Sequence, residues 1–291
     1  MKINLVSSAL LASALFLSAC AEVVGPEQPA PAEVIKPTKA TSQLEKLPAP
    51  SAPIYVAVYE FPDLTGQNKP NSDFAEYSRA VTQGGDAILV DVLEEAGNRK
   101  WFKLVERRGV NNVLRERQLI MATRQQFSGE NAEPLPAMSF AGVLLEGGVI
   151  AYDSNITTGG VGARYLGIGA NTEFRIDQVT VNLRAVSVQS GEILSSVTTT
   201  KTIYSTALQG SVFKFVGTNE LLELEAGVTE NEPAQFALRE AIEVAVYALI
   251  LEGAENNVWR FRSATAQNRL IAQFEAAQKK AGPLPVSATP S

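Results

Sequence analysis

The sequence predicts a mixed α/β (α+β) domain carrying two long β-hairpins that its core does not account for. Three observations lead there. β-branched runs alternate along the chain with helix-period segments, the pattern of strands and helices interleaved in one domain. Two segments, at about 153–177 and 195–222, mix small, polar and apolar residues in near-alternation and fit that domain badly. A short apolar leader closes on the chain's single cysteine, Cys20.

The leader has a basic start at Lys2, an apolar stretch from Ile3 to Phe16 and the small-residue run Leu17-Ser18-Ala19-Cys20. That is the layout of a secretory signal over 1–19, too short for a membrane-spanning helix of about 20 residues. Leu-Ser-Ala-Cys resembles a bacterial lipobox, in which the thiol receives a diacylglycerol and cleavage leaves the cysteine first; palmitate anchoring follows. The other reading is an exported protein with one stray thiol. Ala21, where lipoproteins kept at the inner membrane usually have aspartate, implies an outer-membrane lipid anchor. Residues 20–53 then read as a lipidated, Pro-rich tether, with prolines at 26, 29, 31, 37, 48, 50 and 53 favouring extended backbone that buries little.

The α/β domain is expected over 54–262. Ile54-Tyr55-Val56-Ala57-Val58-Tyr59 is β-branched and aromatic, a strand, and Asp63 to Pro70 is rich in breakers, a loop. A helix from Ser78 to Ala96 places Val81, Ile88, Leu89 and Val92 on one face and stops at Gly97-Asn98. Trp101 to Val105 is a short strand. Val110 to Phe127 is a helix with an arginine-rich polar face, and Ser128 to Pro136 a loop. Ala141 to Tyr152 is a strand, Val179 to Val186 alternates as a half-buried strand should, and Gln189 to Glu192 turns it into the next, from Ile193. Pro233 opens a helix ending near Gly253. Residues 263–291 hold a last amphipathic helix, Ala264 to Lys280, with Leu270, Ile271 and Phe274 on one side, and a tail.

The two hairpin segments carry Gly160, Gly162, Arg164 and Tyr165 in the first, and Ile203, Tyr204, Phe213 and Phe215 around a turn at Gln209-Gly210 in the second. Each is long enough for two strands of the ~9–11 residues that cross a bilayer when tilted. Two surface hairpins over the core would read the same way. The glycines do not make a phosphate loop, because Tyr165 stands where a third glycine is needed and no Lys-Ser or Lys-Thr pair follows.

Composition narrows the chemistry. With no histidine and one cysteine, the chain lacks Ser-His-Asp and Cys-His catalysis, His/Cys zinc sites and internal disulfides. A net charge of −6 argues against a general nucleic-acid binder. No catalytic residue, cofactor or metal site is expected.

The strings Leu47-Pro48-Ala49-Pro50, Thr65-Gly66-Gln67, Gly159-Gly160-Val161-Gly162-Ala163-Arg164-Tyr165, Ser190-Gly191-Glu192-Ile193-Leu194-Ser195-Ser196-Val197 and Asn231-Glu232-Pro233 resemble the curli production assembly/transport component, the CsgG family of outer-membrane secretion channels. The likeness runs from the lipobox to about Trp259. It implies a ring of about nine lipoprotein subunits, each with a periplasmic α/β domain and two hairpins given to one shared transmembrane barrel. It also implies secreted unfolded amyloid subunits as cargo, a periplasmic adaptor and an extracellular assembly factor as partners. Four strands per chain agree with this, since transmembrane barrels start at about 8 strands and must close.

The resemblance further implies a constriction built by the loop after the first strand, from rings of tyrosine, asparagine and phenylalanine. Counting back from Ser78, Tyr77 falls at the phenylalanine and Glu76 at the asparagine. One extra residue after Pro70 leaves the tyrosine position on Asn71 or Ser72, with Phe74 as a replacement aromatic. Packing of Phe74 and Tyr77 on the following helix is the alternative. The expected function is a homo-oligomeric diffusion channel; the alternative is a non-pore periplasmic lipoprotein that binds or scaffolds. Which hairpin face meets lipid is left open by the residue pattern.

Overall fold

The structure is a computed structural model. It describes residues 34, 37–66, 83–157, 164–165, 168–169, 172–208, 213–217 and 234–281, with side-chain packing described outside 154–177, 203–234 and 281. The elements are α1 (Lys39–Glu45), β1 (Ile54–Val58), α2 (Gly85–Glu95), β2 (Phe102–Leu104), α3 (Val110–Ser128), β3 (Val143–Thr157), β4 (Arg164–Tyr165), β5 (Ile168–Gly169), β6 (Thr172–Ser187), β7 (Ile193–Leu208), β8 (Phe213–Gly217), α4 (Ala234–Glu255) and α5 (Ala264–Ala281).

Six strands form one sheet in the order β2-β1-β3-β6-β7-β8. β1 runs parallel to β2 and β3, and every later pairing is antiparallel. One face of its lower part is apolar by strict alternation: Val143, Leu145 and Val149 on β3, Val179, Val181, Leu183 and Ala185 on β6, and Val197 on β7 are buried. These pack under α4, whose Leu238, Ile242, Val246, Leu249 and Ile250 are wholly buried, each such side chain contributing about 1.5–3 kcal/mol. The opposite face is polar: Asn182 donates to Ser196 and Thr198 at 3.3 and 3.1 Å, and Arg184 pairs with Glu146 at 2.9 Å. The expected α/β domain is therefore a two-layer one.

Three expected boundaries move. The Pro-rich tether does not extend to residue 53; the compact unit begins at Pro37. Residues 39–45 are helix, Leu44 and Leu47 are buried, and Trp101 Nε1 donates to the Pro48 carbonyl at 2.9 Å. The prolines follow a half-buried helix here rather than spacing an exposed linker. The helix expected from Ser78 begins at Gly85, because Gln83 and Gly84 stand outside it; Val81 lies outside the described residues. Finally, residues 195–201, expected in the second hairpin, belong to the domain: Ser195 and Val197 are buried, Thr199 Oγ1 donates to the Ala241 carbonyl at 2.8 Å and Lys201 pairs with Glu240 at 2.6 Å.

The other helices lie close to expectation. α5 packs through Leu270, Ile271 and Phe274, the last edge-on to Tyr247 with ring centroids 6.2 Å apart. Gly253 lets the Trp259 ring lie on α4: a Cβ there would come within 2.2 Å of it. α3 buries none of its residues, and its Leu114, Leu119, Ile120 and Phe127 are exposed. Arg117 and Arg124 tie it instead to the returning segment, donating to the carbonyls of Pro136 and Glu133 at 2.6 and 2.7 Å. Pro233, expected to open α4, lies outside the described residues.

Candidate functional site

β3, β6 and β7 are too long for the helices that cover them. Alternating burial under α4 ends at Val149 on β3 and Val179 on β6, yet the β3–β6 ladder continues to Thr157↔Phe174 and the β6–β7 ladder to Thr172↔Leu208. A register shift between Val149 and Ala151 leaves Ile150 as the extra residue at the level where helix cover stops. Such bulges bend a strand and increase its twist. Beyond it, β3–β6 and β7–β8 form two antiparallel arms side by side, joined by β6–β7 pairing.

The hairpin residues singled out from sequence fall on these arms. Arg164 and Tyr165 pair with Gly169 and Ile168 in a small separate ladder between β3 and β6. Ile203 and Tyr204 pair with Asp177 and Ile176 of β6 and with Gly217 and Val216 of β8. Phe213 and Phe215 pair with Ala207 and Ser205. Gly160 and Gly162 lie outside the described residues, as do Cys20 and the loop residues Asn71, Ser72, Phe74, Glu76 and Tyr77.

Both ends of that loop are described, and they meet. After β1 the chain climbs beside β3: Val149 N donates to the Pro62 carbonyl at 3.0 Å and Leu64 N to the Val149 carbonyl at 2.9 Å. A side chain at Gly148 would put its Cβ 2.6 Å from the Pro62 oxygen, so only glycine admits this approach. Asp63 then holds the two ends together. One carboxylate oxygen accepts from Thr65 N and Oγ1 at 3.0 and 2.7 Å, and the other accepts from Gln83 Nε2 at 3.3 Å. The loop thus leaves and re-enters the domain at the level of the β3 bulge.

A buried ionic cluster links the N-terminal helix to the helix that follows this loop. Thr38 and Thr41 form a reciprocal cap at the start of α1, each hydroxyl accepting the other residue's backbone N–H at 3.0 and 2.9 Å. Both hydroxyls also donate to the fully buried Glu243 carboxylate of α4, at 2.5 and 2.6 Å. Arg239 bridges Glu243 at 3.0 Å and Glu95 at 2.5 Å. Glu95 Oε2 is buried and without a hydrogen-bond partner among the described residues. Burial pushes the Glu95 carboxyl up from its ordinary value, Arg239 opposes this and Glu243 adds to it. Sequence reading missed the cluster, although an acid inside the apolar run Ala241 to Leu251 was a visible signal.

A carboxyl raised in the folded state favours folding in its protonated form, so its contribution is present below the unfolded value of 4.5 and is lost as pH rises through the folded value. Glu95→Gln is therefore expected to raise Tm at neutral pH and to lose that advantage as the pH falls toward 4.5. Thermal melts at both ends decide it; a variant less stable than the parent at neutral pH would mean that the Arg239 pair outweighs burial.

Among the described residues, no group of three or more His, Cys, Asp or Glu is placed to hold a metal ion, and no helix is long and apolar enough to cross a membrane. The fold and site define a class: a two-layer α/β domain whose sheet overruns its helices as two adjoining hairpins, above a loop stapled at its base. The chain belongs to the CsgG family, described as Curli production assembly/transport component CsgG, which matches residues 38–279. It is 41% identical over 268 residues to the curli production assembly/transport component of Salmonella typhimurium, covering 91% of this chain and 95% of that one. To the same component of Escherichia coli K12 it is 40% identical over 268 residues, with the same coverage. A PelC dodecamer from Paraburkholderia phytofirmans aligns at 13% identity over 69% of this chain and 93% of that one, with a TM-score of 0.29.

Proposed function

We propose that this chain is one subunit of a homo-oligomeric, outer-membrane, lipid-anchored channel that passes unfolded curli-type amyloid subunits by diffusion. Membership of a curli production assembly/transport family supports the curli role. The observation that carries the channel reading is the length of paired strand beyond helix cover. In the domain, the odd residues Val179, Val181, Leu183 and Ala185 of β6 are buried and the even ones, Gln178 to Arg184, are polar or carry a hydroxyl. Beyond Gln178 this one-sided pattern ends: Phe174 and Ile176 are even, while Phe213, Phe215 and Ile203 fall in register with the odd Glu173, Arg175 and Asp177. Neither face of the arms repeats the helix-covered core, and paired strands of this length suit a bilayer crossing with lipid on one side and water on the other.

Closure supplies the oligomer. Among the described residues, β3 above Val149 and β8 each pair on one side only. In a bilayer such edges must be satisfied, which a neighbouring copy does by setting its β8 against the upper β3. About nine copies would give about 36 strands, a wide pore that needs a plug or a constriction. The loop stapled by Asp63 at the barrel base is the element available to narrow it, with Glu76, Tyr77, Phe74 and Asn71 or Ser72 as lining residues. Cys20 supplies the anchor, and a periplasmic adaptor and an extracellular factor act at the two mouths. Transport needs no catalysis here; cargo in extended form threads the ring, and folding outside makes passage one-way.

The test is conductance of the purified oligomer in a planar bilayer. A ring of Glu76 carboxylates makes the pore prefer cations, as acidic rings do in channels. Cation selectivity is expected at neutral pH, weakening on acidification and largely lost in Glu76→Gln. An oligomer that never conducts overturns the channel; selectivity unchanged in the variant removes Glu76 from the constriction.

A further inference from the structure

At the end of the sheet opposite the hairpins lies a cleft of about 340 Å³. Its place follows from topology: Pro53 immediately precedes β1, Lys103 sits on β2 parallel to it, and β1 is parallel to β3, whose far end carries the first hairpin. Pro50 and Pro53 form an apolar floor, and Arg99, Lys100, Lys103 and Arg262 supply four cations around it. This concentration is unexpected in a chain of net charge −6.

The cleft is preorganised. Its floor is clamped between two parts of the chain, with Ser51 N donating to the Arg260 carbonyl at 2.8 Å and Arg262 N to the Ala49 carbonyl at 2.9 Å. Its rim is held by an unusual backbone. Gly97, Asn98 and Arg99 have φ of 57°, 53° and 63°, three successive left-handed residues of which two are not glycine. For such residues this conformation is costly, and it persists where surrounding structure imposes it. The Asn98 conformation comes with a tie to α1, since its Nδ2 donates to the Glu45 carbonyl at 3.2 Å. Arg99 is steadied by an exposed pair with Glu94 at 3.0 Å, and its conformation brings it to the cleft beside Lys100.

The geometry points to a binding site for a carboxylate-rich polypeptide segment. Four cations spread around an open apolar floor suit several carboxylates along a chain, with their aliphatic stems on the prolines, better than one small anion. That the segment approaches from the periplasmic side rests on the channel reading, which turns this end of the sheet away from the bilayer; the binding itself does not. Like-signed long-range charge on the rest of the protein opposes such a ligand, so any binding must be local and is screened by salt.

The experiment uses the full-length detergent-solubilised protein and a fluorescent oligoglutamate peptide, with oligoglutamine as the neutral probe. Saturable, salt-sensitive binding of oligoglutamate alone is expected. The double variant Lys100→Glu/Lys103→Glu should weaken it by at least about tenfold, the order expected when several exposed charge pairs are reversed together. Arg115→Glu, on α3, should leave it unchanged. If the double variant does not fold, Arg262→Gln carries the same expectation with a smaller loss. Binding unaffected by these changes overturns the site, and inorganic phosphate displacing the peptide as effectively as unlabelled oligoglutamate makes it a small-anion site instead. Binding absent from a protein that conducts overturns the cleft alone; binding present in a protein that never conducts overturns the channel alone.

Discussion

Glu243→Ala is expected to destabilise the domain by about 3–5 kcal/mol, the effect of breaking a buried ion pair from one side. The carboxylate is wholly buried and accepts from Thr38, Thr41 and Arg239 at once. Its removal leaves the Arg239 guanidinium buried with only Glu95 within 3.0 Å, Asp91 standing at 4.0 Å. It also removes the acceptor that both threonine hydroxyls share, leaving them only each other at 3.1 Å, so α1 loses its polar hold on α4. Denaturant unfolding measures the first effect, and limited proteolysis around residues 38–47 the second. Glu243→Gln, which keeps an acceptor oxygen, should lose distinctly less. Equal and small losses in both variants would mean that α1 is held by Leu44 and Leu47 rather than by the cluster.

Ile176→Arg is expected to abolish assembly in the outer membrane. Arginine on the lipid face of a barrel strand costs about 2–4 kcal/mol near the midplane and little in the lumen. A ring repeats that cost in every copy, so a modest local term becomes decisive for the oligomer. Asp177→Arg, one residue on and of opposite parity, should assemble. Membrane fractionation with detection of the oligomer separates the two, and the pair also identifies the lipid face. Loss in Asp177→Arg with assembly of Ile176→Arg would reverse the faces; assembly of both would favour surface hairpins and a non-pore role.

Much of the fold was legible because its signals are local. Periodicity marks β1, α3, α5 and the alternation from Val179 to Val186 within a few residues, and burial follows the marked faces of β1 and β6. The family strings at Gly159 to Tyr165 and Ser190 to Val197 were equally local. The start of α2 differs because apolar spacing continues back through Val81, whereas the described helix begins at Gly85, packed so closely on the Phe61 carbonyl that a Cβ there would come within 2.7 Å of it. The tether was misread for a related reason. Proline content suggested exposed linker, yet Leu44, Leu47 and Trp101 bury that stretch against partners far along the chain.

By itself, the sequence determined the element types, the absence of histidine and the presence of two surplus strand pairs, because each depends on composition or on spacing within one segment. Only the tertiary structure decided where helix cover ends on β3 and β6, that Asp63 joins both ends of the loop, that Glu243 ties α1 to α4, and that four cations share one cleft. Each of these depends on the pairing register and on contacts between residues tens to hundreds of positions apart. Spacing along the chain does not encode which of the possible partners a side chain meets; packing into one sheet under one set of helices does.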